Sequence, residues 1–154
     1  MVRRTVTAGA VALALALAGC GGGPSLSAFK NGFATDKSQF TKLGSDLAAA
    51  IQSARNQTNT ELASEFGALS SRAKQQAAQL RKLDPPSKFA AQVKTLAGDF
   101  DAVGADLGSI ASAAKAADAG TARAAYARLL QHAAALRIVD RALTGALGLP
   151  QTGS

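Results

Sequence analysis

The sequence has few of the residues that build most chemical sites. Among 154 residues there is one cysteine, one histidine, no tryptophan and one methionine, which is the initiator. A single cysteine excludes an intrachain disulfide, a cysteine zinc cluster and a c-type haem attachment. One histidine and no internal methionine exclude the axial ligands of a bundle cytochrome. Aromatic residues make up 5%, too few for base-stacking surfaces, so we expect no nucleic-acid partner. Because the residues that commonly ligate cofactors are scarce, we also expect no cofactor.

Alanine is abundant instead, at 37 residues, in a chain whose length allows one domain of ordinary size. The chain opens with a positive segment, Arg3 and Arg4, followed by an apolar run from 6 to 18. That run is shorter than the roughly 20 residues that span a membrane, and it has the proportions of a secretory signal. We therefore expect residues 1–19 to be a cleaved signal peptide.

The run ends in Leu17, Ala18, Gly19 and Cys20, which resembles the lipobox of bacterial lipoproteins. The resemblance implies that a diacylglyceryl group is joined to the Cys20 thiol and that signal peptidase II cuts before it. Residues 20–24 then form a lipidated, glycine-rich tether. The implied location is the extracytoplasmic face of a cell membrane, with the mature chain running from 20 to 154.

The mature chain keeps a mildly basic balance, with 15 basic and 10 acidic side chains. These charges are spread along the chain, which indicates a solvated surface. The alternative is a weak attraction to anionic lipid or cell-wall polymer, because a tethered protein lies close to that surface.

Apolar residues at helical spacing fall into four stretches, and no strand pattern of useful length occurs. The most regular stripe is a heptad seam in the third stretch, which runs Phe89, Val93, Leu96, Phe100, Val103, Leu107, Ile110 and Ala114. Polar or proline-containing breaks at 56–60, 83–87, 118–121 and 148–150 separate or end the helices. Short connections favour antiparallel neighbours, so the sequence predicts an all-α, up-down-up-down four-helix bundle over 25–148 and a disordered tail over 149–154.

The two halves of the bundle resemble each other at an offset of 60 residues. The matches include Phe29 with Phe89, Phe40 with Phe100, and the segment 44–47 with 104–107. We interpret them as two similar αα-hairpins related by a pseudo-twofold axis. Such symmetry creates a central seam, where bundles usually hold ligands. Gly104 and Gly108, four residues apart, indicate either a close approach between helices or a loosely packed, flexible bundle.

Two carboxylates, Asp36 and Asp140, fall on the apolar stripes, where the matching residues of the other hairpin are Leu96 and Leu80. If they face each other across the seam, they form a pair that shares a proton or binds a cation. The alternative places each at the bundle rim, paired with a nearby cation such as Lys37, Arg81, Arg137 or Arg141. No metal-ligand cluster or catalytic triad is apparent, and His132, which matches Arg72, is expected to be a half-exposed surface residue.

The tail segment 149–153, Leu-Pro-Gln-Thr-Gly, is similar to the motif that sortases recognise, but only Ser154 follows it. The hydrophobic stretch and basic tail of sortase substrates are missing, which favours a chance match.

The sequence as a whole resembles small helical lipoproteins and predicts no enzyme. We expect a lipid-anchored, non-enzymatic module that binds a partner or interacts with the cell envelope, where an envelope protein is one possible partner. The alternative is a carrier of a small hydrophobic ligand in the bundle seam, since alanine and glycine leave room between the phenylalanines.

Overall fold

The computed structural model describes residues 25–151, which form four long helices. They are α1 (Leu26–Ser53), α2 (Asn59–Leu80), α3 (Ser87–Lys115) and α4 (Ala119–Ala146), with a short 3-10 turn at Ala54–Asn56. No strand occurs in the described residues. Successive helices pack against each other, which confirms the predicted all-α four-helix bundle.

The helices begin where the sequence places polar caps or proline. Ser25 and Asp118 accept hydrogen bonds from the first turns of α1 and α4. Thr58 and Glu61 form a reciprocal capping box at the start of α2, which satisfies two backbone donors that a helix terminus otherwise leaves free. Pro86 precedes α3, where its fixed φ suits the entry to a helix. The predicted breaks are therefore all present.

The core lies along the predicted stripes. Every residue of the α3 seam from Phe89 to Ile110 is buried, and α2 contributes its own stripe of buried residues. The largest fully buried side chains come from all four helices: Phe33, Leu80, Leu96, Leu107, Leu129, Leu143 and Thr144. Within residues 25–151, the buried core residues all lie between Phe29 and Leu147, so the chain from 20 to 154 contains every one of them.

Matching residues of the two hairpins touch across the middle of the bundle. Phe29 stacks on Phe89 with ring centroids 5.6 Å apart, and Phe40 meets Phe100 at 4.5 Å. Matching residues that lie beside a pseudo-twofold axis between α1 and α3 would touch in this way. The offset of 60 residues in the sequence therefore corresponds to a spatial relation between the hairpins.

The C-terminal end of α4 differs slightly from the prediction. Gly148 adopts a left-handed φ of 59°, which glycine accepts without strain and which ends the helix. The N–H of Leu149 donates to the carbonyl of Thr144, and its side chain packs against the core. Leu149 therefore belongs to the bundle, although the sequence pattern assigns it to the tail.

Candidate functional site

The interface between α2 and α3 is closed by small residues. Ser70 Oγ donates to the carbonyl of Gly104 at 2.6 Å. A Cβ atom added to Gly104 would lie 2.9 Å from Lys74 Cγ and 3.2 Å from the carbonyl oxygen of Ser70. A larger residue at 104 would force Lys74 or the α2 backbone to shift, so the structure favours a close approach, one of the two interpretations of Gly104 and Gly108.

The interface between α4 and α1 is the symmetric counterpart of this one, and it is open. Gly44 matches Gly104, but a Cβ atom added to Gly44 would meet nothing within 4 Å. The backbones of α1 and α4 stay apart, whereas those of α2 and α3 approach along much of their length. Gly104 is thus buried at the interface between α2 and α3, whereas the equivalent Gly44 is exposed between α1 and α4.

The side chains at matching positions explain the difference. Ser70 is replaced by Leu130, and Ala77 is replaced by Arg137. Ala97 of α3 corresponds to Lys37 of α1. Larger side chains on both helices do not permit the close backbone contact that alanine and serine permit between α2 and α3.

The resulting groove between α1 and α4 encloses about 190 Å³. Its floor is formed by Phe100 and Val103 of α3. Its walls are almost entirely apolar and come from Phe40, Leu43, Gly44, Leu47, Ala48 and Ile51 of α1 and from Leu129, Leu130, Ala133, Leu136 and Arg137 of α4. Leu130, at its edge, is 52% exposed.

A buried polar network lies one helical turn beyond Phe40 and Arg137. Lys37, only 6% exposed, donates to Thr144 Oγ1 at 2.9 Å and lies 3.5 Å from Asp140 Oδ2. Thr144 is fully buried. Asp140 is therefore paired with a cation, which is one of the two arrangements expected from the sequence.

Asp36 does not share this network. Its Oδ2 atom is buried and has no hydrogen-bond partner, and Asp36 forms no ion pair within residues 25–151. Burial raises the pKa of Asp36 above its ordinary value. The cationic partner expected at the rim is thus absent for Asp36; among the named candidates, Arg81 pairs with Asp101 instead.

Replacing Asp36 by leucine, the matching residue on α3, should stabilise the fold at pH 7. A buried unsatisfied polar atom costs about 1 kcal/mol or more, so the melting temperature should rise by about 2–4 °C. Because the pKa of Asp36 is raised in the folded state, the ionised carboxylate destabilises the fold above that pKa. The penalty should vanish below about pH 3.8, its ordinary pKa.

Thermal denaturation of Asp36→Leu between pH 3 and 8 measures this difference. Asp46→Leu is the matched control and should lower the melting temperature at pH 7, because Arg72 lowers the pKa of Asp46 by a hydrogen bond. An Asp36→Leu chain less stable than the original at pH 7 would contradict the prediction.

A second polar cluster joins α3 and α4. The buried carboxylate of Asp106 contacts His132 Nδ1 at 2.6 Å and Arg128 Nε at 3.0 Å. The same pairing occurs in the first hairpin, where Arg72 donates to Asp46 at 2.5 Å. Asp46 matches Asp106 and Arg72 matches His132, so the repeat itself contained the signal for this pair. His132 is half-exposed, as expected, but its carboxylate partner was not foreseen.

The lipobox residues Leu17 to Cys20 lie outside the residues that the structure describes. In the part that it does describe, no helix combines the length and the apolar character needed to cross a membrane. Within the same residues, no group of three or more histidine, cysteine or acidic side chains is arranged to hold a metal ion.

Searches against protein-family models, curated proteins and solved structures find no match to this chain.

Proposed function

We propose that this protein is a lipid-anchored binding protein on the extracytoplasmic face of a cell membrane. The lipobox, Leu17 to Cys20, supports the anchor, and the open groove between α1 and α4 supports binding. Cys20 would carry the diacylglyceryl group, and the bundle would stand on a tether of a few residues.

The groove favours a small hydrophobic ligand over an envelope protein as the partner. A stable interface with another protein uses about 800 Å² of surface from each partner. A concave, apolar space of about 190 Å³ instead fits a small molecule or part of one. The carrier function, the second possibility raised by the sequence, is thus the better supported of the two.

The chemistry of the groove supports binding rather than catalysis. Among the described residues that line it, none is a carboxylate, histidine, cysteine or hydroxyl residue. Acid–base or nucleophilic catalysis needs such a group within hydrogen-bond reach of the substrate.

Native mass spectrometry of the protein extracted from its own membrane tests the proposal. We expect a fraction of the protein to carry an additional small apolar molecule, which organic solvent releases, beyond the mass of the acylated chain. A Gly44→Leu variant, whose new side chain would occupy the groove, should lose this mass. A spectrum that shows only the acylated chain, together with specific cross-links to one envelope protein, would favour the protein partner instead.

A further inference from the structure

The size of the groove limits its ligand to a single apolar chain. Between Phe40 and Ile51, α1 advances about 16 Å at 1.5 Å per residue. The groove volume of about 190 Å³ falls below the roughly 300–1,000 Å³ of sites for drug-sized ligands, and a dry apolar cavity of about 150 Å³ accepts benzene. A long, narrow, apolar space of this kind suits an alkyl chain better than a fused ring system.

One cation lies at one end of this space. Arg137 is the single charged residue among the described groove-lining residues, and it forms no ion pair within residues 25–151. Lys37 of α1 contacts Asp140 of α4. Because Phe40 and Arg137 each lie one turn from these residues on antiparallel helices, Arg137 lies opposite Phe40. Lys37 and Asp140 pair with each other, so neither of them is an ion-pair partner of Arg137.

The opposite end of the groove is apolar. Ile51 of α1 and Leu129 and Leu130 of α4 lie there. The groove therefore has a direction, with Arg137 at one end and aliphatic residues at the other. A guanidinium binds a carboxylate through two parallel hydrogen bonds, which a neutral alcohol cannot accept in the same way.

We infer that the groove binds a fatty acid, with the carboxylate at Arg137 and the alkyl chain extending toward Ile51. This inference rests on the proposed function, because it names the class of apolar ligand that the binding protein takes. At the symmetric interface between α2 and α3, Ala77 takes the place of Arg137, and the helices close.

Calorimetric titration of the unlipidated, reduced chain from Cys20 to Ser154, which contains every core residue that the structure describes, tests the inference. The two probes are decanoate and decan-1-ol, which share a chain length and differ in charge. We expect one decanoate to bind per chain. Arg137→Ala should weaken decanoate binding about tenfold or more and leave decanol binding nearly unchanged. Arg141→Ala, which removes an exposed arginine one turn further along α4 that does not line the groove, should change neither.

Two glycine variants locate the binding. Gly44→Leu places a side chain in the groove and should abolish binding of both probes. Gly98→Leu is its matched control, because a Cβ atom there also meets nothing within 4 Å and Gly98 does not line the groove. Both substitutions replace a helical glycine by a good helix former, so both chains should fold, as circular dichroism will show.

The outcomes separate the inference from the proposed function. If decanol binds as tightly as decanoate, or if Arg137→Ala behaves like Arg141→Ala, the fatty-acid inference is overturned while the apolar-ligand function stands. If neither probe binds, or if Gly44→Leu and Gly98→Leu bind the probes equally, the groove is not the binding site. The fatty-acid inference and the apolar-ligand function are then both overturned.

Discussion

Replacing Lys37 by methionine should lower the free energy of unfolding by about 2–4 kcal/mol. The substitution keeps most of the apolar stem of the side chain and removes its charge. It leaves Asp140, which is 22% exposed, without its cation and fully buried Thr144 without a hydrogen-bond donor. Breaking a buried ion pair costs about 3–5 kcal/mol, and the partial exposure of Asp140 moves the expected value toward the lower end.

Removing both charges should restore most of this loss. Lys37→Met combined with Asp140→Leu introduces at position 140 the residue that its match, Leu80, already carries. Apolar replacement of a buried ion pair is often neutral or stabilising. Chemical denaturation of the single and double variants at pH 7 measures the coupling between the two side chains.

Lys42→Met is the matched control for this experiment. Lys42 lies on the same helix and pairs with Asp46 at 3.6 Å, but its side chain is 67% exposed. Exposed pairs contribute about 0–1 kcal/mol, so this substitution should change stability little. An equal loss in Lys42→Met and Lys37→Met would show that burial of the Lys37 pair is not the cause.

Replacing Cys20 by alanine should abolish lipid attachment altogether. The chain has one cysteine, so no other thiol can receive a diacylglyceryl group. Two acyl chains anchor a protein stably because each buried methylene contributes about 0.8 kcal/mol, whereas a single chain binds marginally. The Cys20→Ala precursor should remain uncleaved by signal peptidase II and carry no radioactive palmitate.

Metabolic labelling followed by separation of precursor from mature chain measures both effects. Gly23→Ala changes the tether without touching the four lipobox residues, and it should be labelled and cleaved normally. Normal processing of the Cys20→Ala chain would refute the lipoprotein interpretation, while the groove and its ligand would still be tested by the soluble chain.

The relation between the hairpins was accessible from the sequence because it rests on local signals that occur twice. Phe29 and Phe89 lie at equivalent places in their helices, and the structure brings their rings together. The pair of Asp106 and His132 follows the same rule as Asp46 and Arg72, with both partners 26 residues apart. Matching the polar residues of the repeat, and not only the apolar ones, would have predicted it.

The surroundings of Asp36 and Asp140 could not be predicted from the sequence in the same way. Both lie on apolar stripes, yet Asp140 meets Lys37 while Asp36 has an unpartnered oxygen. Helical periodicity assigns a residue to a face of its own helix, but the rotation of the neighbouring helix decides which side chain it meets.

The four helices, their approximate ends and most of their buried faces follow from the sequence alone, because periodicity, caps and prolines act within a single helix. The scarcity of cysteine and histidine likewise limited the chemistry, because no arrangement of the helices can supply a residue type that the chain lacks. Which of the two equivalent interfaces closes, and which remains open, depends on how the packed helices meet. That outcome depends on which side chains meet across the seam: Ser70 and Gly104 allow backbone contact, whereas Leu130, Arg137 and the pair of Lys37 and Asp140 hold the helices apart around an apolar groove.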